Sequence, residues 1–176
     1  MSIYKLDPMH STVAFSVKHM MIAKVHGAFE KLAGELTFDQ AHPEKSKAEA
    51  VIEASSINTR EVQRDAHLKS ADFFDVEKYS TLSFKSTGVR ISGDGELKVS
   101  GELSIKGISK PIELNVEGPS AELKDPFGNI KIGLSASTKI KRKDFGLTWN
   151  AALETGGVLV GDEVTITLDL QFAKQV

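Results

Sequence analysis

The sequence predicts an all-β fold of about eight antiparallel strands, and three observations lead there. Apolar and polar residues alternate with a period of two through most of the chain, the period of strands that bury one face. Groups rich in Gly, Pro, Asp and Asn punctuate that alternation at turn spacing. Only two stretches abandon it for long, Asn58 to Tyr79 and Lys143 to Gly157.

In order, Ile3, Tyr4 and Leu6 form a short strand that ends at Asp7-Pro8, where proline withdraws a ladder donor. Val13, Phe15 and Val17 then point one way, and His19 closes that strand. Met20 to Val25 reads as an apolar turn or short helix. After Gly27 a strand resumes through Leu32, Gly34, Leu36 and Phe38, with Phe29 out of phase, which predicts a bulge near Glu30 and Lys31. Beyond a hairpin at His42-Pro43, the small residues Ala48, Ala50 and Ala54 alternate with Ile52 on one face. Asn58 and Thr59 can cap a helix over Arg60 to Lys69, a run without Gly or Pro.

Leu82 and Phe84 restart the alternation, and Ser92-Gly93-Asp94-Gly95 turns the chain. The clearest pair is Leu97 to Ile105 with Ile112 to Val116, joined by a turn from Gly107 to Pro111. Asp125 to Asn129 leads into Ile130, Ile132, Leu134, Ala136, Thr138 and Ile140. Lys143 to Gly157, with the single Trp149, predicts a loop with a helical turn, and Val164 to Phe172 is the last strand.

A chain of 176 residues is most simply one domain, 1–176. With 22 basic against 24 acidic residues it has no field suited to nucleic acid. Absence of cysteine excludes disulfides, thiolate nucleophiles and thiolate zinc sites. No apolar run is long enough for a membrane-spanning helix. Lys5 and Asp7 precede any apolar run, so the N-terminus does not read as a secretory leader, and a cytoplasmic or already processed chain is expected.

One-faced strands must bury that face, either between two sheets or inside a closed barrel. A barrel of eight strands is about wide enough for one small ligand. Its interior here would be dry, and Gly34, Ala48, Ala50, Ala54 and Gly101 would leave it underfilled on one side. On composition alone, larger side chains opposite fill that gap equally well, so Phe15, Phe38, Ile52, Phe84, Leu103 and Leu134 are either cavity lining or ordinary core.

The cluster Arg64, Asp65, His67, Leu68 followed by Asp72, Phe73, Phe74, Asp75 concentrates the polar chemistry. Arg64 and His67 can donate to the oxygens of a polar or diphosphate head while Asp65 orients them; equally, Arg64 and Asp65 can simply pin a helix over the barrel end. His10, His19, His26 and His67 show no metal-ligand spacing. An enzyme reading would use His67 with Asp65 as a hydrolase or isomerase, or Asp7, His10 and Ser11 as a triad, yet no nucleophile elbow accompanies either. A third reading is a filled barrel whose outer face binds a protein.

Asp7-Pro8-Met9-His10-Ser11, Phe15-Ser16-Val17-Lys18-His19 leading to Gly27-Ala28-Phe29, and Asn58-Thr59 with Arg64-Asp65-Ala66-His67-Leu68 and Asp72-Phe73-Phe74-Asp75 stand in a characteristic order. With Gly101 to Gly107, Asp144-Phe145-Gly146 and Gly161 to Val164, they make the chain resemble the YceI-like family of polyisoprenoid-binding, lipocalin-like proteins. The resemblance implies an elongated antiparallel eight-stranded barrel with a short helix inserted near 59–75. It implies a tunnel for an isoprenoid, an isoprenoid quinone or another long-chain, fatty-acid-like lipid, with no catalytic cofactor, in a homodimer. Val13, Phe15, Val17, Leu32, Leu36, Phe38, Ile52, Leu82, Phe84, Leu103, Leu134 and Ile166 would line that tunnel. His19, Asn58, Arg64, Asp65 and His67 would form a polar mouth, and Phe73, Phe74 and Trp149 a gate. Ser80 departs from the proline common at that point in the family, which bears on loop rigidity.

Overall fold

Strands follow the alternation closely in the computed structural model, which describes residues 1–154 and 156–176. They are β1 (Ser2–Leu6), β2 (Thr12–His19), β3 (Ala23–Phe29), β4 (Leu32–Phe38), β5 (Lys47–Glu53), β6 (Ile57–Asn58), β7 (Thr81–Ile91), β8 (Leu97–Ile105), β9 (Ile108–Glu117), β10 (Leu123–Lys124), β11 (Ile130–Lys141) and β12 (Val160–Lys174). One helix, α1 (Val62–Lys69), lies between β6 and β7.

Three pairs of short strands act as single broken walls. Along β12, Leu6 of β1 faces Phe172 and Val13 of β2 faces Leu168, with a 3-10 turn at Pro8–His10 between them. Likewise β3 with β4 and β5 with β6 continue one another past short interruptions. These three walls and β7, β8, β9, β11 and β12 each bond to their sequence neighbours, and β12 bonds back to β1 and β2. The result is an eight-walled, up-and-down antiparallel barrel, closed between β9 and β11 only along Asn115 to Glu117.

Several local expectations need correction. Ala23–Phe29 is strand, so the Met20 to Val25 stretch is the tip of a hairpin and the start of its second arm, not a helix. Met20 (φ 53) and Met21 (φ 64) both take the left-handed conformation that a tight primed turn requires. Phe29 and Leu32 both point inward although they stand three positions apart, and the break at Glu30-Lys31 permits this. The helix starts later than expected: its N-cap is Glu61, whose carboxylate accepts from Gln63 N and Arg64 N. Pro111 belongs to β9 and faces Glu102; β9 is bonded on its β11 side only from Asn115 to Glu117, so the proline sits where the wall is paired on one side. The turn before it is only Lys106-Gly107, both with positive φ. Trp149 lies in the expected loop, which opens with a 3-10 turn at Arg142–Phe145; Thr155 of that loop lies outside the described residues.

Two apolar clusters fill the barrel ends. At the α1 end, Phe29, Ala54, Ile57, Phe73, Leu82, Leu103, Ile105, Ile140, Phe145 and Leu147 are buried together. At the opposite end Tyr4, Leu36, Ile132 and Phe172 do the same.

Candidate functional site

Between these clusters lies a cavity of about 570 Å³, in the range of small-molecule sites. Inward alternation alone brings the twelve expected lining residues to it: Val13, Phe15, Val17, Leu32, Leu36, Phe38, Ile52, Leu82, Phe84, Leu103, Leu134 and Ile166. Val25, Leu114, Leu168 and Leu170, also inward-facing, join them.

The space exists because some inward positions are small. Gly34, Ala48 and Ala50 face it side by side on β4 and β5, where Gly34 is opposite Ala50. Gly101 and Ala54, expected to add to the void, do not. A methyl on Gly101 would collide with the Phe84 ring, so that glycine is the seat of an aromatic. Ala54 is sealed in the α1-end core.

At the end opposite α1, the Tyr4 hydroxyl donates to Glu122 Oε1 at 2.7 Å, and Lys174 Nζ donates to the same oxygen at 2.7 Å. Burial first, then the Glu122 carboxylate, push the Tyr4 hydroxyl above its ordinary pKa. The Lys174 ammonium, then the Tyr4 hydroxyl, hold Glu122 below its own. This knot ties the 118–124 strap, including cavity-lining Pro119, to the barrel.

Polar residues border the cavity along β4 and β5, where Glu35, Lys47 and Glu49 lie beside Ser46, and near α1, where Lys18 and Gln63 join the expected residues. Arg64, His67 and His19 line it; Asn58 and Asp65, expected beside them, do not. Asn58 donates to Glu30 Oε1 at 2.8 Å and accepts from Arg60 N at 2.8 Å, holding the left-handed Arg60 turn. Asp65 is committed to Thr59, accepting from its N at 2.9 Å and from its hydroxyl at 2.5 Å. Arg64 binds the same residue from the other side, Nε to Thr59 Oγ1 and Nη2 to Thr59 O, each at 2.7 Å. Thr59 is buried, so Arg64 and Asp65 together clamp the helix onto the end of β6.

His67 does not meet Asp65. Its Nε2 lies 2.9 Å from Asp72 Oδ2, and its ring stands edge-on to Phe73 and Trp149, with centroids 5.1 and 4.6 Å away. Phe73, Phe74 and Trp149 all line the α1 end of the cavity. Phe74 meets Phe29 edge-on at 5.7 Å, and Phe29 meets Phe15 at 5.7 Å, an aromatic path from the helix segment into the barrel.

The triad alternative is also differently built. His10 Nδ1 lies 3.0 Å from Asp7 Oδ2, but Ser11 Oγ is engaged by the backbone of Gln171, accepting from its N at 3.0 Å and donating to its O at 3.3 Å. Asp7 also pairs with Lys131 at 2.8 Å, and bonds from Lys131 and then His10 hold its carboxyl at about 2. These residues stitch the β1–β2 break to β11 and β12. Among the described residues, no three His, Asp or Glu side chains converge as metal ligands, so His10, His19, His26 and His67 form no such cluster.

Arg142 escaped sequence reading altogether. It is 3% exposed and lines the cavity. Its Nε donates to Gly161 O at 2.8 Å, Nη1 to Leu147 O at 2.6 Å and Trp149 O at 2.8 Å, and Nη2 to Val160 O at 3.2 Å. Burial pulls its pKa below the usual arginine value, and the charge of Asp162 opposes this. The signal was phase: continuing the alternation from Ile132 through Ile140 places position 142 inward.

A YceI-like domain profile matches residues 4–172. A UPF0312 protein of Staphylococcus aureus is 35% identical over 173 residues, which cover 98% of this chain and 98% of the relative. The crystal structure of a Campylobacter jejuni YCEI protein is 31% identical, covers 90% of each chain and superposes with a TM-score of 0.75. A structure from Saccharophagus degradans, described as a polyisoprenoid binding domain implicated in plant cell wall breakdown, superposes with a TM-score of 0.71 over 99% of this chain and 100% of that one. At 20% identity, it shares the fold.

Proposed function

The chain belongs to the YceI-like domain family, and on that premise we propose that its barrel binds one polyisoprenoid or other long-chain lipid, for transport or storage, without acting on it chemically. The carrying observation is the cavity of about 570 Å³, walled by aliphatic and aromatic side chains along the barrel. Burying an apolar chain yields about 0.8 kcal/mol per methylene, so such a cavity needs few polar contacts to hold a tail. The polyisoprenoid binding domain of Saccharophagus degradans, which shares this fold, supports the ligand class.

In this reading the α1 end is the mouth. Arg64, His67 and His19 meet the head of the lipid there, and Phe73, Phe74 and Trp149 gate its passage. A homodimer belongs to the same proposal, and sedimentation at only the 19.1 kDa monomer mass would remove it. The hydrolase alternative gains no support from geometry, because Asp65 is occupied by Thr59 and His67 is turned to Asp72.

Native mass spectrometry of protein purified from cells tests the central point. A copurifying lipid adduct is expected, and its loss in Ala50→Trp, with the fold retained by circular dichroism, would place it in the barrel. Persistently ligand-free protein that also rejects added long-chain probes would overturn the proposal.

A further inference from the structure

We propose that the tip of the β2–β3 hairpin docks on an anionic lipid bilayer, holding the α1 end of the barrel against the surface from which its ligand comes. The inference deepens the lipid-binding reading and rests on it for what is handed over.

The tip is Met20-Met21-Ile22, and all three side chains are exposed, Ile22 by 84%. Turn chemistry would not choose them. A turn closed by Ile22 N donating to His19 O, with positive φ at Met20 and Met21, normally takes Asn and Gly. Two methionines in the left-handed region are strained, which points to what their side chains touch. Unbranched thioethers suit an irregular apolar medium.

The patch extends into the neighbouring loop. Met20 N donates to Leu159 O at 2.7 Å, Met21 packs over Gly157, and Val158 beside them is exposed. The loop continues into Leu159 and Val160, and the hairpin into His19 and Val25, all of which line the cavity. The exposed apolar tip is therefore continuous with the walls of the α1 end.

Charge selects the partner. Directly behind the tip, Lys18 and Lys24 face each other across the two strands, on the side opposite Val17 and Val25. Like charges in that position repel, and neither lysine has a carboxylate partner among the described residues. The facing loop carries two acids, Asp144 and Glu154, and neither pairs with these lysines. An apolar tip with a basic collar matches a bilayer whose phosphates neutralise the lysines while Met21 and Ile22 enter the acyl boundary.

Sedimentation with vesicles of phosphatidylglycerol and phosphatidylcholine in equal parts, against pure phosphatidylcholine, tests this. Wild-type protein is expected to pellet with the anionic vesicles. Lys24→Gln should bind them about fivefold more weakly at low salt, and Ile22→Asp should lose binding. Neither residue lines the cavity, so both variants should take up a dansylated fatty acid from vesicle-free solution as wild type does. Wild type remaining in the supernatant, or Ile22→Asp pelleting undiminished, would overturn the inference. So would Ile22→Asp changing only the oligomeric state, which would assign the tip to a second copy. Vesicle binding without probe uptake removes the cavity reading and leaves docking standing; uptake without vesicle binding does the reverse.

Discussion

The guanidinium of Arg64 grips Thr59 twice, Nε donating to its hydroxyl and Nη2 to its carbonyl, each at 2.7 Å, while that hydroxyl donates to Asp65. Removing the hydroxyl leaves one donor and one acceptor without their partner at a buried site. Thr59→Val is expected to lower unfolding free energy by about 2 kcal/mol in urea titration, with Thr59→Ser recovering most of it. A valine variant as stable as wild type would show that the clamp carries no weight.

Arg142 holds the carbonyls of Leu147, Trp149, Val160 and Gly161 with one planar fork. Arg142→Met should cost about 3 kcal/mol or more, since those buried acceptors lose their donors. Arg142→Lys should recover little, because an ammonium cannot span four acceptors. Thermal melts of the two variants, compared with wild type, check both statements.

Asp7 sets an acid limit. Its carboxyl is held at about 2 by Lys131 and His10, below the ordinary aspartate value of about 3.9. A depressed folded-state pKa adds stability that is fully present above the unfolded value and drains away as pH falls from about 4 through about 2. Asp7→Asn should therefore be less stable than wild type by about 2 kcal/mol at pH 6, and the gap should close toward pH 2. Urea midpoints across that range would sink the idea if the gap stayed constant.

Ala50 faces the void opposite Gly34. An indole there occupies room otherwise open to a few methylenes, so Ala50→Trp should weaken binding of a long-chain fluorescent lipid about 100-fold. Competition titration reads that change; an unaltered affinity would mean that the tail lies elsewhere.

Alternation made the walls legible wherever one face is wet and the other dry, as in Leu97 to Ile105, because the pleat ties sequence parity to burial. Parity also pointed all twelve lining residues inward, although it could not say whether they touch one another or enclose space. That depends on the surroundings of each small residue: Gly34, Ala48 and Ala50 line the cavity, whereas the equally small Gly101 is covered by the Phe84 ring. Asp65 meets a related limit: a carboxylate beside an arginine and near a histidine fits a ligand site and a helix clamp equally, and only the chain path from Thr59 back over α1 decides for the clamp. The Met20-Met21 turn carried none of the usual residues for its conformation, so nothing local announced a hairpin.

Because β12 returns to bond β1, Tyr4 stands opposite Lys174, and Gln175 N donates to Ile3 O at 2.8 Å. The two ends of the barrel chain are thus neighbours, and a few Gly and Ser residues would join them without disturbing either strand. Fresh ends opened at the exposed Ser92 to Gly95 turn would then give a rewired barrel with every wall still beside its present neighbours.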